Sequence, residues 1–166
     1  LMGQVFVMGR TIDEAMKRMD AKENRGFTAS FDMLGEAART RADAERYFEA
    51  YANAIASVGQ NAARGHSVSV KLSALHPRYE TAQAATCVHE LAAMVRELAS
   101  KAASLGVQLT IDAEEAARLE MSLDIIERVA RDPALNGWDG LGMAVQAYSK
   151  RARPTIAWAN ALGAET

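Results

Sequence analysis

A single cysteine, Cys87, rules out an internal disulfide, so the fold has to rest on its core and suits a reducing compartment. It lies in a helical pattern beside Val88 and Leu91, the setting of a buried structural thiol. No apolar run approaches the ~20 residues that cross a bilayer. Leu1–Gly9 is too short for a signal peptide and lacks a basic start, and the expected location is cytoplasmic. Lys and Arg form no run of five or more, and the net charge is -2 with a pI near 6.0, so no nucleic acid contact is expected in this segment. The histidines His66, His76 and His89 are scattered, without carboxylates at ligand spacing, and no metal is expected. The G-x-S-x-G elbow, the Walker loop and a G-x-G-x-x-G turn after a strand are missing as well.

What remains is 49% hydrophobic and 24% charged over 166 residues, enough for one ordinary globular domain with a sizeable core. Thr11-Ile-Asp-Glu14 has the capping-box pattern, which predicts a helix from Thr11 to about Glu23, before Gly26. Phe27–Asp32 alternates as a strand. Thr40-Arg-Ala-Asp43 starts a helix of about six turns through Tyr47, Tyr51, Ile55 and Val58, with Gly65 as its stop. Strand Ser67–Leu72 precedes a loop at His76-Pro77 and a helix over Gln83–Leu105. Strand Val107–Asp112 precedes a helix at Leu119–Arg131, and strand Leu141–Gln146 precedes a last helix that has Pro154 in its first turn and closes at Gly163. These are four strand–helix units at a spacing of about 34 to 41 residues. Such alternation argues for α/β architecture with a parallel sheet and right-handed crossovers. One face of each strand is apolar and the other small or polar, which fits a TIM-type (β/α)8 barrel better than a sheet covered on both sides. Four units are half of the roughly 250 residues of such a barrel. Residues 1–26 are then a lead-in segment and helix, and 27–166 the first half of a barrel. With no initiator Met at Leu1 and a helix running almost to Thr166, a segment of a larger chain is expected.

In a parallel barrel the chemistry stands at the C-terminal strand ends and the loops after them. Each predicted strand ends its inward face with a functional group: Asp32, Lys71, Asp112 and Gln146. A lysine at the end of a buried strand needs a partner, because a dry, unpaired ammonium costs several kcal/mol. Two chemistries are open to Lys71. Desolvated, it could form a Schiff base with a carbonyl substrate, as aldolases do; charged, it could hold a substrate carboxylate. Glu114, Glu115 and Glu120 follow Asp112, with Arg78, Arg118 and Lys150 as partners for a salt-bridged rim. Tyr148, Lys150 and Arg151 follow Gln146, with Arg151 also suited to helix capping. His76 is a loop histidine, expected at the surface.

Four long stretches, SFDMLGEAA (Ser30–Ala38), SVKLSALHPRYE (Ser69–Glu80), TIDAEE (Thr110–Glu115) and AVQAYSKRA (Ala144–Ala152), resemble the proline dehydrogenase domain of the proline utilization A flavoenzymes. The resemblance covers nearly the whole chain, in order and spacing. It implies a flavin-bearing barrel that oxidises L-proline to Δ1-pyrroline-5-carboxylate, passing a hydride to FAD and the electrons on to a membrane quinone. Lys71 then matches the lysine that pairs with the proline carboxylate, and Asp112 the aspartate at the flavin and substrate site. Gln146, with Val145 beside it, matches the glutamine on the flavin ring, while Asp32 and Ala74 fall near the substrate pocket. The family's later flavin-contacting strand, its paired arginines, its aldehyde dehydrogenase domain and any DNA-binding N-terminus have no counterpart here. The remainder of the parent polypeptide is therefore the expected partner, and the parent is expected at the inner membrane surface. The 166 residues alone are expected to bind FAD poorly and to turn over no proline. Two alternatives stay open: a lysine Schiff-base aldolase, and a non-catalytic half barrel that assembles with a second copy as a homo-oligomer.

Overall fold

A computed structural model describes residues 7–166; the expected extended lead-in falls largely outside them. Strands β1 (Ser30–Asp32), β2 (Ser67–Val70), β3 (Gln108–Ile111) and β4 (Leu141–Met143) form one sheet in the order β1-β2-β3-β4, with every pairing parallel. The helices are α1 (Ile12–Met19), α2 (Arg41–Gly59), the single turn α3 (Leu72–Leu75), α4 (Ala84–Ser104), α5 (Leu119–Ala130) and α6 (Ala152–Glu165). Each crossover leads to the adjacent strand, and uniform right-handedness puts the long helices on one face of the sheet.

Burial agrees. Phe31, Val68, Val70, Leu109 and Ile111 are buried in one core with Ile55 and Val58 of α2, Leu91 and Val95 of α4, and Ile125 of α5. The opposite parity, which carries Ser30, Asp32, Ser67, Lys71, Gln108, Thr110 and Asp112, is half-buried or exposed throughout. Ser69 on that face is the exception, at 7% exposure. An apolar outer face under helices and a small, polar inner face make half the wall of a (β/α)8 barrel, as the parity predicted.

Helix starts follow local chemistry. At α2 the Thr40 hydroxyl accepts from Asp43 N (3.1 Å) and the Asp43 carboxylate accepts from Thr40 N (3.0 Å), a complete capping box. These hydrogen bonds, with that from Arg46, hold the Asp43 carboxyl below its ordinary range. At α1 Thr11 accepts from Glu14 N, but Glu14 accepts from Arg10 N (2.8 Å), one residue upstream of the cap.

Several boundaries differ from the sequence expectation. α1 stops at Met19, capped by Asp20, and Lys22–Asn24 is a separate 3-10 turn. α2 ends at Gly59; Ala62–Arg64 is a 3-10 turn closed by Gly65 in the left-handed region. β1 is half the predicted length, and Phe27 at its expected start is exposed. Leu72 belongs to α3, not to β2. β4 stops at Met143, so Gln146 stands in the loop beyond it. α6 runs through Gly163 to Glu165, since a glycine mid-helix is only mildly unfavourable.

The bottom of the sheet holds one group that sequence alone left unexplained. His66 is buried; its Nδ1 accepts from Ala29 N (3.0 Å) beside β1, while its Nε2 meets no described hydrogen-bond partner. Burial, and then the neighbouring Arg64, push its pKa below 6.5. The neutral ring is therefore the folded form. The unfolded chain takes up the proton first as pH falls through 6.5, so the fold loses stability below that pH and keeps it above. Denaturant unfolding at pH 7.5 and 5.5 should show a loss for the native chain that is smaller in His66→Asn, which keeps an acceptor but does not titrate. Equal losses in both chains would show that His66 is not the group responsible.

Candidate active site

β2 carries Lys71 to the C-terminal edge of the inner face, and its neighbours supply the partners. Lys71 Nζ donates to Asp32 Oδ2 (2.5 Å) at the end of β1 and to Asp112 Oδ2 (3.0 Å) just after β3. The lysine side chain is 19% exposed, against 45% for Asp32 and 24% for Asp112. Burial alone would lower the pKa of Lys71, but the hydrogen bonds and charges of the two aspartates outweigh it and hold the ammonium above the ordinary lysine range. A Schiff base needs the neutral amine, so the arrangement disfavours aldolase chemistry and suits an anion.

The pairing register refines the pattern of four strand ends. Asp32 is level with Ser69, Thr110 and Gly142. Extending the same register sets Lys71 beside Asp112 and Ala144, whose N–H donates to Ile111 O. Asp32 thus stands two residues lower than the Lys71–Asp112 pair, and Gln146 lies three residues past the end of β4. Gln146 and Val145 line a small crevice with Asp112, Glu114, Met143 and Arg151. Ala74 is fully buried in α3.

The loops after the strands are cross-braced by hydrogen bonds. Ser73 of α3 accepts from Ala37 N through its hydroxyl (3.1 Å) and from Ala38 N through its carbonyl (2.8 Å). These bonds hold Ala37 at φ 53, a conformation that ordinarily disfavours a side chain. Upstream, Gly35 has φ +142, and a Cβ there would lie 2.1 Å from the Tyr47 ring, so that position demands glycine. Glu114 Oε2 accepts from Ser73 N (3.0 Å), capping α3 from the β3 loop. Arg151 then ties the β4 loop back, reaching Glu120 (3.1 Å) and the Ala116 carbonyl. The salt-bridged rim thus holds for Glu115, paired with Arg118 (2.9 Å), and for Glu120, whereas Glu114 bonds to backbone. Arg151 occupies the N-cap of α6 but makes no side-chain cap.

His76 is a correction. It is 5% exposed, its Nδ1 accepts from Arg78 N, and its Nε2 faces Glu90, which also pairs with Arg41 (2.7 Å). It joins the β2 loop to α4 and α2 and stays away from the inner face. Cys87 is buried, as expected, and burial raises its pKa. Tyr148 is exposed. Among the described residues no group of three or more His, Cys, Asp or Glu side chains is gathered to hold a metal ion, and no helix is long and apolar enough to cross a membrane.

The proline dehydrogenase family model matches residues 15–166. The bifunctional protein PutA of Klebsiella aerogenes is 47% identical over 156 residues, which are 91% of this chain and 12% of that protein. A solved structure of proline utilization A, with proline bound in remote sites, superposes with TM-score 0.86 at 48% identity, over 99% of this chain and 18% of that one. Proline utilization A from Bdellovibrio bacteriovorus, inactivated by N-propargylglycine, shares the fold at TM-score 0.88 with 20% identity, over 97% of this chain and 18% of its own. The chain therefore spans a small part of the relatives it matches.

The Glu114 brace is testable on stability alone. Glu114→Ala leaves the N–H of buried Ser73 without its charged acceptor and should lower unfolding stability by about 1–2 kcal/mol. Glu115→Ala removes a surface pair and should change it by less than ~1 kcal/mol. Equal effects in denaturant titration would remove the brace from the account.

Proposed function

The chain belongs to the proline dehydrogenase family, and from that premise we propose that it supplies part of the catalytic barrel in which L-proline is oxidised to Δ1-pyrroline-5-carboxylate. FAD is the hydride acceptor in this reading and a quinone the final acceptor. Residues 27–166 are the first half of the barrel, after a lead-in of 1–26. The rest of a larger parent polypeptide provides the other half and, as the bifunctional relatives suggest, an aldehyde dehydrogenase domain. The parent works at the inner membrane surface, where the quinone is.

The observation that carries this reading is the charged Lys71 on the inner face. An ammonium has three protons; Asp32 and Asp112 take two, and the third is left for the substrate carboxylate. The aspartates keep the ammonium charged before substrate arrives, so binding an anion requires no proton transfer. Asp112 uses Oδ2 for Lys71, which leaves Oδ1 to hold the substrate's ring N–H. A proline gripped at its carboxylate and nitrogen by adjacent strands has its ring fixed relative to the inner wall, which is the positioning that catalysis by orientation needs.

The cofactor suits the same wall. Gln146 makes no side-chain hydrogen bond to another described residue, and Ala144 and Gly142, just before it in the chain, have minimal side chains. An amide that both donates and accepts, beside a shallow floor, matches a flat ring with both kinds of polar atom. Asp112, Val145 and Gln146 would hold it. When bound, FAD supplies the two-electron acceptor for the hydride that leaves the proline ring.

Lys71→Met in the flavin-loaded protein should lower kcat/KM for L-proline by about 100-fold, chiefly through KM. Oxidation of pyrrolidine, the same ring without a carboxylate, should fall by much less, through the loss of the Lys71–Asp112 contact alone. An equal loss on both substrates, or none on either, would remove Lys71 from the carboxylate site.

A further inference from the structure

The N–H of Lys71 points to a residue that the parity argument passed over. In β2 alternate N–H groups face β1: Ser67 N donates to Ala29 O at 2.9 Å, and the register continues through Asp32 and Ser69. The next rung would run from Lys71 N to the carbonyl of Met33. β1 ends at Asp32, so the strand supplies no such rung. Lys71 N donates instead to the hydroxyl of Tyr51, 3.1 Å away, from the middle of α2. Tyr51 is 1% exposed, so its phenol lies dry under the end of the sheet.

The geometry points to Tyr51 as a positioning residue that stands in for the missing strand rung, fixes the backbone of Lys71 where β2 turns into α3, and so aims its ammonium at Asp32 and Asp112. This rests on Lys71 as the carboxylate ligand only for its consequence in catalysis; the aiming itself is a property of the chain. The logic is that of a sheet edge. A side chain three or more bonds long is aimed only if its own backbone is fixed, and a strand end without its hydrogen bond is free to fray. The hydroxyl is matched to the task because an aromatic ring is held by core packing while its polar tip reaches a partner. Burial, partly offset by the hydrogen bond from Lys71 N, pushes the phenol pKa up to about 12, so it remains a neutral acceptor.

The test reads the lysine, not the stability. The chain is treated with acetic anhydride at pH 9, and acetylation of Lys71 is measured by peptide mass spectrometry against Lys17, Lys22, Lys101 and Lys150. Lys71, held charged by two carboxylates, should react at least about tenfold more slowly than the others, because one unit of pKa is tenfold in neutral amine. In Tyr51→Phe, which keeps the ring and removes the acceptor, its rate should rise about tenfold towards theirs. Thr155→Val, which deletes the hydrogen bond to Arg151 O in α6, should lower thermal stability and leave Lys71 unchanged. An unchanged Lys71 rate in Tyr51→Phe would overturn the proposal. If that variant does not fold, amide exchange of the unaltered chain decides: Lys71 N–H should be protected, and exchange at the rate of an exposed amide would overturn it. In the flavin-loaded protein, Tyr51→Phe should raise KM for L-proline more than it changes kcat. Faster acetylation with unchanged KM would support the positioning role and overturn the carboxylate role of Lys71.

Discussion

An ammonium on the wall of a parallel sheet has to be neutralised from within that sheet, and the inner face of this chain is arranged around that requirement. Lys71 is compensated by one carboxylate from each flanking strand, at 2.5 and 3.0 Å. Removing either aspartate would leave a half-buried charge short of a partner, which is more damaging than never having had the charge. Three strands are therefore joined by charge as well as by backbone hydrogen bonds. The same compensation leaves a proton of the ammonium for an incoming anion, so the structural demand and the proposed function meet in one group.

The loops above the sheet serve that group indirectly. Ser73 lies two residues beyond Lys71 and Glu114 two beyond Asp112, and their 3.0 Å hydrogen bond ties the β2 and β3 loops just above the ion pair. Ala37 and Ala38 extend the tie to the β1 loop, and Arg151 extends it to the β4 loop. Against the outer face of the sheet, α2, α4 and α5 form a buried apolar layer with Ile55, Leu91, Val95 and Ile125 fully enclosed. A well-packed layer of that kind gives the strands a fixed platform, since truncating such side chains costs about 2–5 kcal/mol each. Precision at the mouth thus comes from the packed side, and chemistry from the open side.

Much of this was legible in the sequence, because period-two alternation is a direct consequence of strand geometry. Val68 and Val70 against Ser69 and Lys71, and Leu109 and Ile111 against Thr110 and Asp112, assign both faces without any structure. Parity could not give level: β1 and β4 are only three residues long, so Asp32 sits below the Lys71–Asp112 pair and Gln146 lies past the end of its strand. Nor could it find Tyr51, whose position in the apolar stripe of α2 reads as core and whose hydroxyl partner is twenty residues away. His76 was misjudged for a similar reason, since its partner Glu90 comes from α4, fourteen residues along the chain. Local pattern fixes which way a side chain faces. Partners across elements are settled by tertiary packing.

The most direct test of the account is a crystal structure of the flavin-loaded protein with L-proline bound. The account predicts a substrate carboxylate oxygen within about 3 Å of Lys71 Nζ, with Nζ still bonded to Asp112. A proline carboxylate seated away from Lys71, with the ammonium still closed between Asp32 and Asp112, would contradict it.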